Sequence, residues 1–203
     1  MSVLVNTPTG RIGRRVVEVL LARGTAVTTI ARDPAKLGAL AGRVRVVQGS
    51  IDDPAVLDLA TRGVEALFWL SPPPVVPNMK QVNHERARGA IAAAKANGVA
   101  WAVVLSSISA QVPDGTGPIA SLYRVEQEFF AAFPDLVVLR PAFFMENHVA
   151  SLGTIASMSA IFAPIPGSFA FPQIATRDVG DRAADLLVAP AWTGQRVVGL
   201  HGP

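Results

Sequence analysis

Short apolar runs alternate with amphipathic segments from one end of this chain to the other, and that rhythm restricts the fold more than any other feature. Strands are expected at Val3 to Val5, Ala26 to Ile30, Val44 to Val47, Ala66 to Leu70, Ala100 to Leu105, Leu136 to Leu139 and Gln195 to Leu200. Most are continuously apolar rather than alternating, the signature of strands covered on both faces. Helices are expected between them, at Ile12 to Arg23, from Asp33-Pro34, from Asp53-Pro54 to Arg62, at Asn78 to Asn97, Ile119 to Phe133 and Arg177 to Val188. In the first, Ile12, Val16, Val19 and Leu20 share a face, and Gly24 follows as a stop signal. Asp33-Pro34 and Asp53-Pro54 each place a capping acid before a proline at the first helical position. The order predicts an α/β fold: a doubly wound parallel sheet with helices on both faces.

The 203 residues suffice for one domain, read as 1–203 without linker or repeat. Half are hydrophobic and 16% are charged, which excludes a disordered chain. The net charge of +3 carries no Lys/Arg block, so neither a nucleic-acid nor a membrane footprint is expected. With no cysteine, thiolate catalysis and disulfides are excluded, and no metal site is expected. The opening MSVLVNTPTG lacks the pattern of a signal peptide, so a cytoplasmic protein is expected. From Asn147 to Thr176 there is no charged residue. Within that stretch, Val149 to Phe171 is mostly apolar or small, but Ser151, Thr154, Ser157, Ser159 and Ser168, with Pro164 and Pro166, argue against a membrane span there. Residues 142–176 are read instead as an apolar substrate-side or interface segment.

In a doubly wound fold the turn after the first strand can bind a pyrophosphate at a helix N-terminus. Here that turn is NTPTGRIG. Gly10 allows close approach to a phosphate, and Gly13 allows the helix to pack tightly on the sheet. A third glycine would stand at Thr7, so the turn must be made with other dihedrals. The hydroxyls of Thr7 and Thr9 and the amides of Arg11 and Ile12 remain as donors. Two glycines alone also fit a plain strand-to-helix turn. Arg32, at the end of the second strand, adds a second signal. An acid at this place would hold the ribose 2′-hydroxyl of NAD, whereas an arginine can pair with a 2′-phosphate, which favours NADP(H). A solvated surface arginine is the other reading.

Several segments, TPTGRIGRRVVEVLLARG, ARDPAKL, VQGSIDD, VVLSSISA, VEQEFF and LRPAFFMENH, occur in order along the chain. Together they resemble the NmrA-like branch of the atypical short-chain dehydrogenase/reductases. The resemblance implies a Rossmann domain with a small C-terminal substrate part, and members that are NADPH-dependent quinone or azo reductases or non-enzymatic sensors of the NADP/NAD balance. It places the 2′-phosphate at Arg32 and the adenine at Ser50 or the Ile51 backbone, because the acid that usually follows Gly49 is missing. The wall beside the nicotinamide falls on Leu70, Ser71 and Pro72, with Pro73 and Pro74. Ser106 and Ser107 end the fifth strand, where a serine either meets the ligand or caps the strand.

Ordinary dehydrogenases of this superfamily use Tyr-x-x-x-Lys to shuttle a proton. The one tyrosine, Tyr123, is followed four residues later by Gln127, and the resemblance puts the pair at Pro118 and Leu122. The pair is absent by either route. Quinone reduction needs less, since stacking and orienting two rings is enough. Phe143, Phe144, Met145 and Phe162 are the expected apolar platform. His148, Tyr123 and Ser107 are the candidates for a catalytic group, with His84 a further histidine. Glu126 and Arg140 are expected to pair. Family members generally continue past Gly202-Pro203, so the apolar segment is expected to be partly bare or covered by a second copy in a homodimer. The leading expectation is an NADP(H)-dependent reductase of an apolar aromatic acceptor. A redox-sensing regulator that binds NAD(P) and a protein partner stands beside it, and a scaffold that has lost its cofactor stands third.

Overall fold

A computed structural model describes residues 1–74, 76–162, 166–188 and 192–202, and among these it shows nine strands and six α-helices. The first half runs β1 (Ser2–Val5), α1 (Arg11–Ala22), β2 (Ala26–Ala31), β3 (Arg45–Gln48), α2 (Pro54–Thr61), β4 (Ala66–Leu70) and α3 (Met79–Ala96). The second runs β5 (Trp101–Leu105), α4 (Ser121–Ala132), β6 (Asp135–Pro141), β7 (Phe143–Phe144), α5 (Leu152–Met158), β8 (Gln173–Ile174), α6 (Thr176–Val188) and β9 (Gln195–Leu200). Seven strands form one parallel sheet in the order β3-β2-β1-β4-β5-β6-β9.

The unbroken apolar strands are what this sheet requires. Successive residues point to opposite faces, and both faces are covered. Val3, Val5, Phe68, Val103 and Leu139 pack with Val16, Leu20, Val179 and Leu187 beneath α1 and α6. Leu4, Leu67, Trp69, Val104 and Val138 pack with Leu57, Ile91, Val125 and Phe129 of α2, α3 and α4. Trp69, Phe129 and Phe133 form an aromatic row there, with ring centroids 6.2 and 5.8 Å apart. On the other face α6 lies so close to α1 that a Cβ on Gly180 would stand 2.8 Å from Cβ and Cγ of Arg15. Arg15 then reaches Asp181, with Nε to Oδ1 at 2.5 Å.

Local details depart from the sequence-based expectation. The segment after Asp33-Pro34 is a 3-10 turn, Pro34–Leu40, broken at Gly38, whose φ is 57°. The helix expected from Ile119 begins as a 3-10 turn, Gly117–Ala120, before α4. The segment 142–176 carries a short parallel pair, β7 with β8, and between them a 3-10 turn Met145–Ser151 and α5. Neither that turn nor α5 contains a buried residue. Pro164 lies outside the described residues. Among them no helix is long and apolar enough to cross a membrane.

The strand order reverses between β1 and β4, and the chain leaves their carboxyl ends in opposite directions, opening a crevice. Asn6 holds the two ends together. Its Nδ2 donates to the Leu70 carbonyl at 2.8 Å, and the Leu70 amide donates to its Oδ1 at 3.0 Å. Asn6 is buried, so Asn6→Ala strands both groups of Leu70. A loss of about 2–3 kcal/mol of unfolding free energy is expected, measured by urea denaturation.

Candidate functional site

A cleft of about 920 Å³ lies at this switch point. One lip is the loop from Thr7 to Gly10. The Gly10 amide donates to the Thr7 carbonyl at 3.3 Å, and Gly10 caps α1 in extended geometry with no side-chain bond. The first N–H groups of α1 therefore have no capping side chain, which leaves the positive end of the helix dipole to the cleft. The two glycines do different work. A Cβ on Gly10 would meet nothing nearer than 3.7 Å, whereas a Cβ on Gly13 would stand 2.0 Å from the Thr7 carbonyl oxygen. Gly13 thus lets α1 start against the loop backbone, a tighter constraint than packing on the sheet. Thr7 keeps a negative φ, so the turn closes without the first glycine. Its Oγ1 is buried without a hydrogen-bond partner.

The end of the cleft beyond β2 is cationic. Arg32 is exposed, lines the cleft and has no ion pair among the described residues. Lys36 lines it as well, a residue that sequence reasoning passed over because it follows the capping turn rather than the strand. Asp33 is spent as a cap, its Oδ1 accepting from the Ala35 amide at 3.1 Å. Asp53 caps α2 in the same way through the Ala55 amide at 2.8 Å.

Ser50 and Ile51 both line this end, and so does Asp52. The Ser50 hydroxyl donates to Asp52 Oδ2 at 2.8 Å. Arg86 of α3 donates to Asp52 from Nε at 2.6 Å and Nη2 at 3.2 Å, and from Nη1 to the Pro72 carbonyl at 3.3 Å. The Arg86 hydrogen bonds hold the Asp52 carboxyl below its ordinary value, against the upward push of burial and with help from Ser50 and the more distant charge of Arg32. Arg86 carried no signal in the sequence, being one of several charged residues on a long helix.

On the opposite lip, Leu70, Pro72, Pro73 and Pro74 line the cleft, but Ser71 does not. Ser71 is buried and accepts from Trp69 Nε1 at 3.1 Å. Ser106 is also withdrawn. It donates to Glu126, which in turn receives Arg140 through Nε at 3.0 Å and Nη2 at 2.5 Å. Ser106 therefore belongs to a buried brace between β5, β6 and α4. Ser107 is outside the cleft lining too, and its carbonyl accepts from the Ala110 amide.

Of the four expected platform residues, only Phe144 reaches the cleft. Phe143 packs against His148 and, edge-on, against Phe171, while Met145 is exposed outside the cleft. Phe162 is 70% exposed and does not line the cleft. His148 pairs with Gln173 at 3.0 Å, away from the cleft. Tyr123 lies in a separate depression beside Lys80, His84 and Arg124, and His84 there contacts Glu128 at 2.6 Å. The structure thus withdraws the three catalytic candidates, His148, Tyr123 and Ser107, from the cleft.

Glu146, part of the LRPAFFMENH segment but given no role from the sequence, is at the inner end with Asn147, Thr176 and Arg11. Its carboxylate accepts the Thr176 amide at 2.9 and 3.0 Å and the Thr176 hydroxyl at 2.5 Å, which caps α6. Burial pushes this carboxyl up. The Thr176 bonds, its own amide and the charge of Arg11 outweigh that and hold it below the ordinary value.

Residues 8–154 match a family described as NAD(P)H-binding. A (4-alkanoyl-5-oxo-2,5-dihydrofuran-3-yl)methyl phosphate reductase of Streptomyces griseus is 32% identical over 99% of this chain and 68% of its own length. A ceramide reductase of Caulobacter vibrioides is 28% identical over 98% of this chain and 62% of its own length. The chain thus spans about two thirds of these relatives. The crystal structure of an NADPH-dependent quinone oxidoreductase from Escherichia coli, complexed with NADPH, superposes with a TM-score of 0.84 and 27% identity, covering all of this chain and 69% of that one. A Citrobacter triphenylmethane reductase complexed with NADP(H) shares the fold at a TM-score of 0.84 and 21% identity, covering all of this chain and 70% of that one.

Two outcomes are expected from the site's geometry. Gly13→Ala forces α1 off the Thr7 carbonyl and costs more than about 2 kcal/mol in chemical denaturation. The Glu146 contribution is complete above its ordinary pKa of 4.5 and is lost as pH falls through the lowered folded value. Acid-unfolding curves of Glu146→Gln are therefore expected to lose part of the steepness of the wild-type acid limb.

Proposed function

The chain belongs to this NAD(P)H-binding family, in its NmrA-like branch of atypical short-chain dehydrogenase/reductases, and from that premise we propose a reductase that prefers NADPH and reduces a quinone-type, apolar aromatic acceptor. The observation that carries the NADPH preference is the pair Arg32 and Lys36 at the cleft end of β2, beside an Asp33 already engaged as a cap. Two cations, with Asp33 engaged as a cap and Asp52 paired with Arg86, suit a 2′-phosphate better than a 2′-hydroxyl.

The residues present fit a dinucleotide. α1 has no capping side chain at its start, and Gly13 leaves out the one Cβ that would push the helix off the loop. Thr7, Thr9, Gly10, Arg11 and Ile12 would hold the pyrophosphate, Arg32 and Lys36 the 2′-phosphate, and Leu70 with Pro72 to Pro74 the nicotinamide side. NADPH, when bound, supplies a hydride. The chain's own task is orientation and exclusion of water. The prolines fix the wall with little ordering entropy, and Phe144 adds an apolar surface at the inner end. Glu146 stays ionised against Thr176 and so does not serve as an acid. A quinone-type acceptor, whose reduced form is a stable hydroquinone, tolerates that arrangement and takes its proton from water. The names of the Escherichia coli and Citrobacter neighbours, a quinone oxidoreductase and a dye reductase, support an aromatic acceptor.

Calorimetric titration with NADPH and NADH tests the reading, followed by NADPH oxidation in the presence of quinones. Wild type is expected to favour NADPH. Arg32→Ala is expected to weaken NADPH about 10- to 100-fold and leave NADH nearly unchanged. Binding without turnover of any quinone would reassign the chain to the redox-sensing regulators. Absence of binding to either nucleotide would overturn the reading.

A further inference from the structure

An apolar face beside the cleft is left unexplained by the dinucleotide reading. The 3-10 turn Met145–Ser151 runs directly into α5, and neither contains a buried residue. Met145, Val149, Leu152, Ile155 and Met158 recur along them every three or four residues, and all are exposed. Ile161 and Phe162 follow, exposed as well, and the fractions run from 38% at Ile155 to 70% at Phe162. On side chains of this size that is on the order of several hundred Å² of bare apolar surface, approaching the roughly 800 Å² that each partner buries in a standard interface. The helix itself needs support. α5 has seven residues, among them Gly153, Thr154 and Ser157, and isolated helices shorter than about 12 residues are marginal in water. The Thr154 and Ser157 hydroxyls donate only within the segment, to the Ser151 and Gly153 carbonyls. Burial of its apolar side chains is the stabilisation that α5 lacks among the described residues of one chain.

We propose that a second copy of this chain packs on this 145–162 face through the same face of its own, as a two-fold dimer. Charge selects the occupant. From 147 to 176 there is no Asp, Glu, Lys or Arg, so the face meets its own copy without opposing like charges, as an isologous interface requires. Met, Phe and aliphatic side chains without charge are also the composition of a homodimer core. A lipid surface asks for something else. An interfacial helix carries Lys and Arg on its polar face, whereas the polar residues here are Ser151, Thr154 and Ser157. The face also borders the cleft. Phe144 and Glu146 line the inner end, as do Asn147 and Arg11, which are both exposed. A copy seated on the face therefore screens that end from water, a consequence that rests on the dinucleotide reading above.

Sedimentation velocity of the full chain without nucleotide tests the interface. Wild type is expected to run at twice the chain mass at about 10 µM and to dissociate on dilution. Leu152→Asp combined with Met158→Asp sets like charges against each other across the two-fold, and is expected to raise the dimer dissociation constant at least about 100-fold. Leu59→Asp, at an exposed apolar residue of α2, is expected to leave the dimer intact. Hydrogen exchange on wild type locates the contact without any variant: amides of 145–162 are expected to gain protection in the dimer over the diluted chain. A monomer at every concentration, open-ended aggregation, or protection gained only elsewhere would overturn the proposal. So would a monomer that floats with phosphatidylcholine vesicles, which would assign the face to lipid. The effect on the cleft is read separately, by NADPH calorimetry, where the Asp pair is expected to bind about threefold or more weakly than wild type. Equal affinities would overturn the screening of the cleft. No binding to wild type would overturn the dinucleotide reading and leave the sedimentation result standing.

Discussion

Two hydrogen bonds between the Asn6 side chain and the backbone of Leu70 fix the place where the cleft opens at the edge of the sheet. A parallel sheet wound in both directions has one point at which the chain leaves neighbouring strands toward opposite faces. Beyond that point the backbone ladder cannot continue, and the polar groups just past the strand ends must find other partners. The buried amide of Asn6 extends the β1–β4 ladder by one rung. From that rung the Thr7–Gly10 loop and the proline wall diverge as the two lips of the cleft.

The helices complete the site through their ends rather than their faces. α1 begins without a side-chain cap, which leaves amide N–H groups and the positive end of its dipole for an anion. α2 and α6 are capped by Asp53 and Glu146, so their N-termini are already satisfied. Charge is distributed accordingly. Arg32 and Lys36 stay unpaired among the described residues at one end of the cleft, while Asp52 is paired with Arg86 and Glu146 is hydrogen-bonded by Thr176, contacts that also tie two segments together. The buried brace of Ser106, Glu126 and Arg140 plays the same tying role behind β5 and β6, where an unpaired buried carboxylate would be costly. By contrast, the segment from Met145 to Met158 buries no side chain, and it reaches the cleft through Glu146 and Asn147, just after Phe144 of β7.

The sheet, its parallel direction and most helix positions were legible along the chain, because covering a sheet on both faces demands continuous apolar strands and leaves a periodic mark. The Asp-Pro caps were legible for a similar reason: their chemistry is complete within three residues. So was Arg32, whose place follows from a strand end. What the chain did not show was direction. Ser71 and Ser106 stand at strand ends like true site residues, yet both turn inward, toward Trp69 and toward Glu126. Phe143, Phe144 and Met145 are consecutive, and only Phe144 reaches the cleft. Alternation along an extended backbone sends neighbours to opposite sides, and which side is the cleft is not written locally.

The sequence by itself thus determined the layers, the switch-point loop with its Gly13 and the cationic strand end, since each depends on local backbone geometry or on period. Only the tertiary structure decided the Asn6–Leu70 rung, the Asp52–Arg86 strap, the Glu146 cap on α6 and the withdrawal of Tyr123 and His148. These join residues 64, 34 and 30 positions apart or separate groups that looked equivalent. Such pairings arise when packed elements bring distant polar groups within hydrogen-bond reach, and no local pattern encodes them.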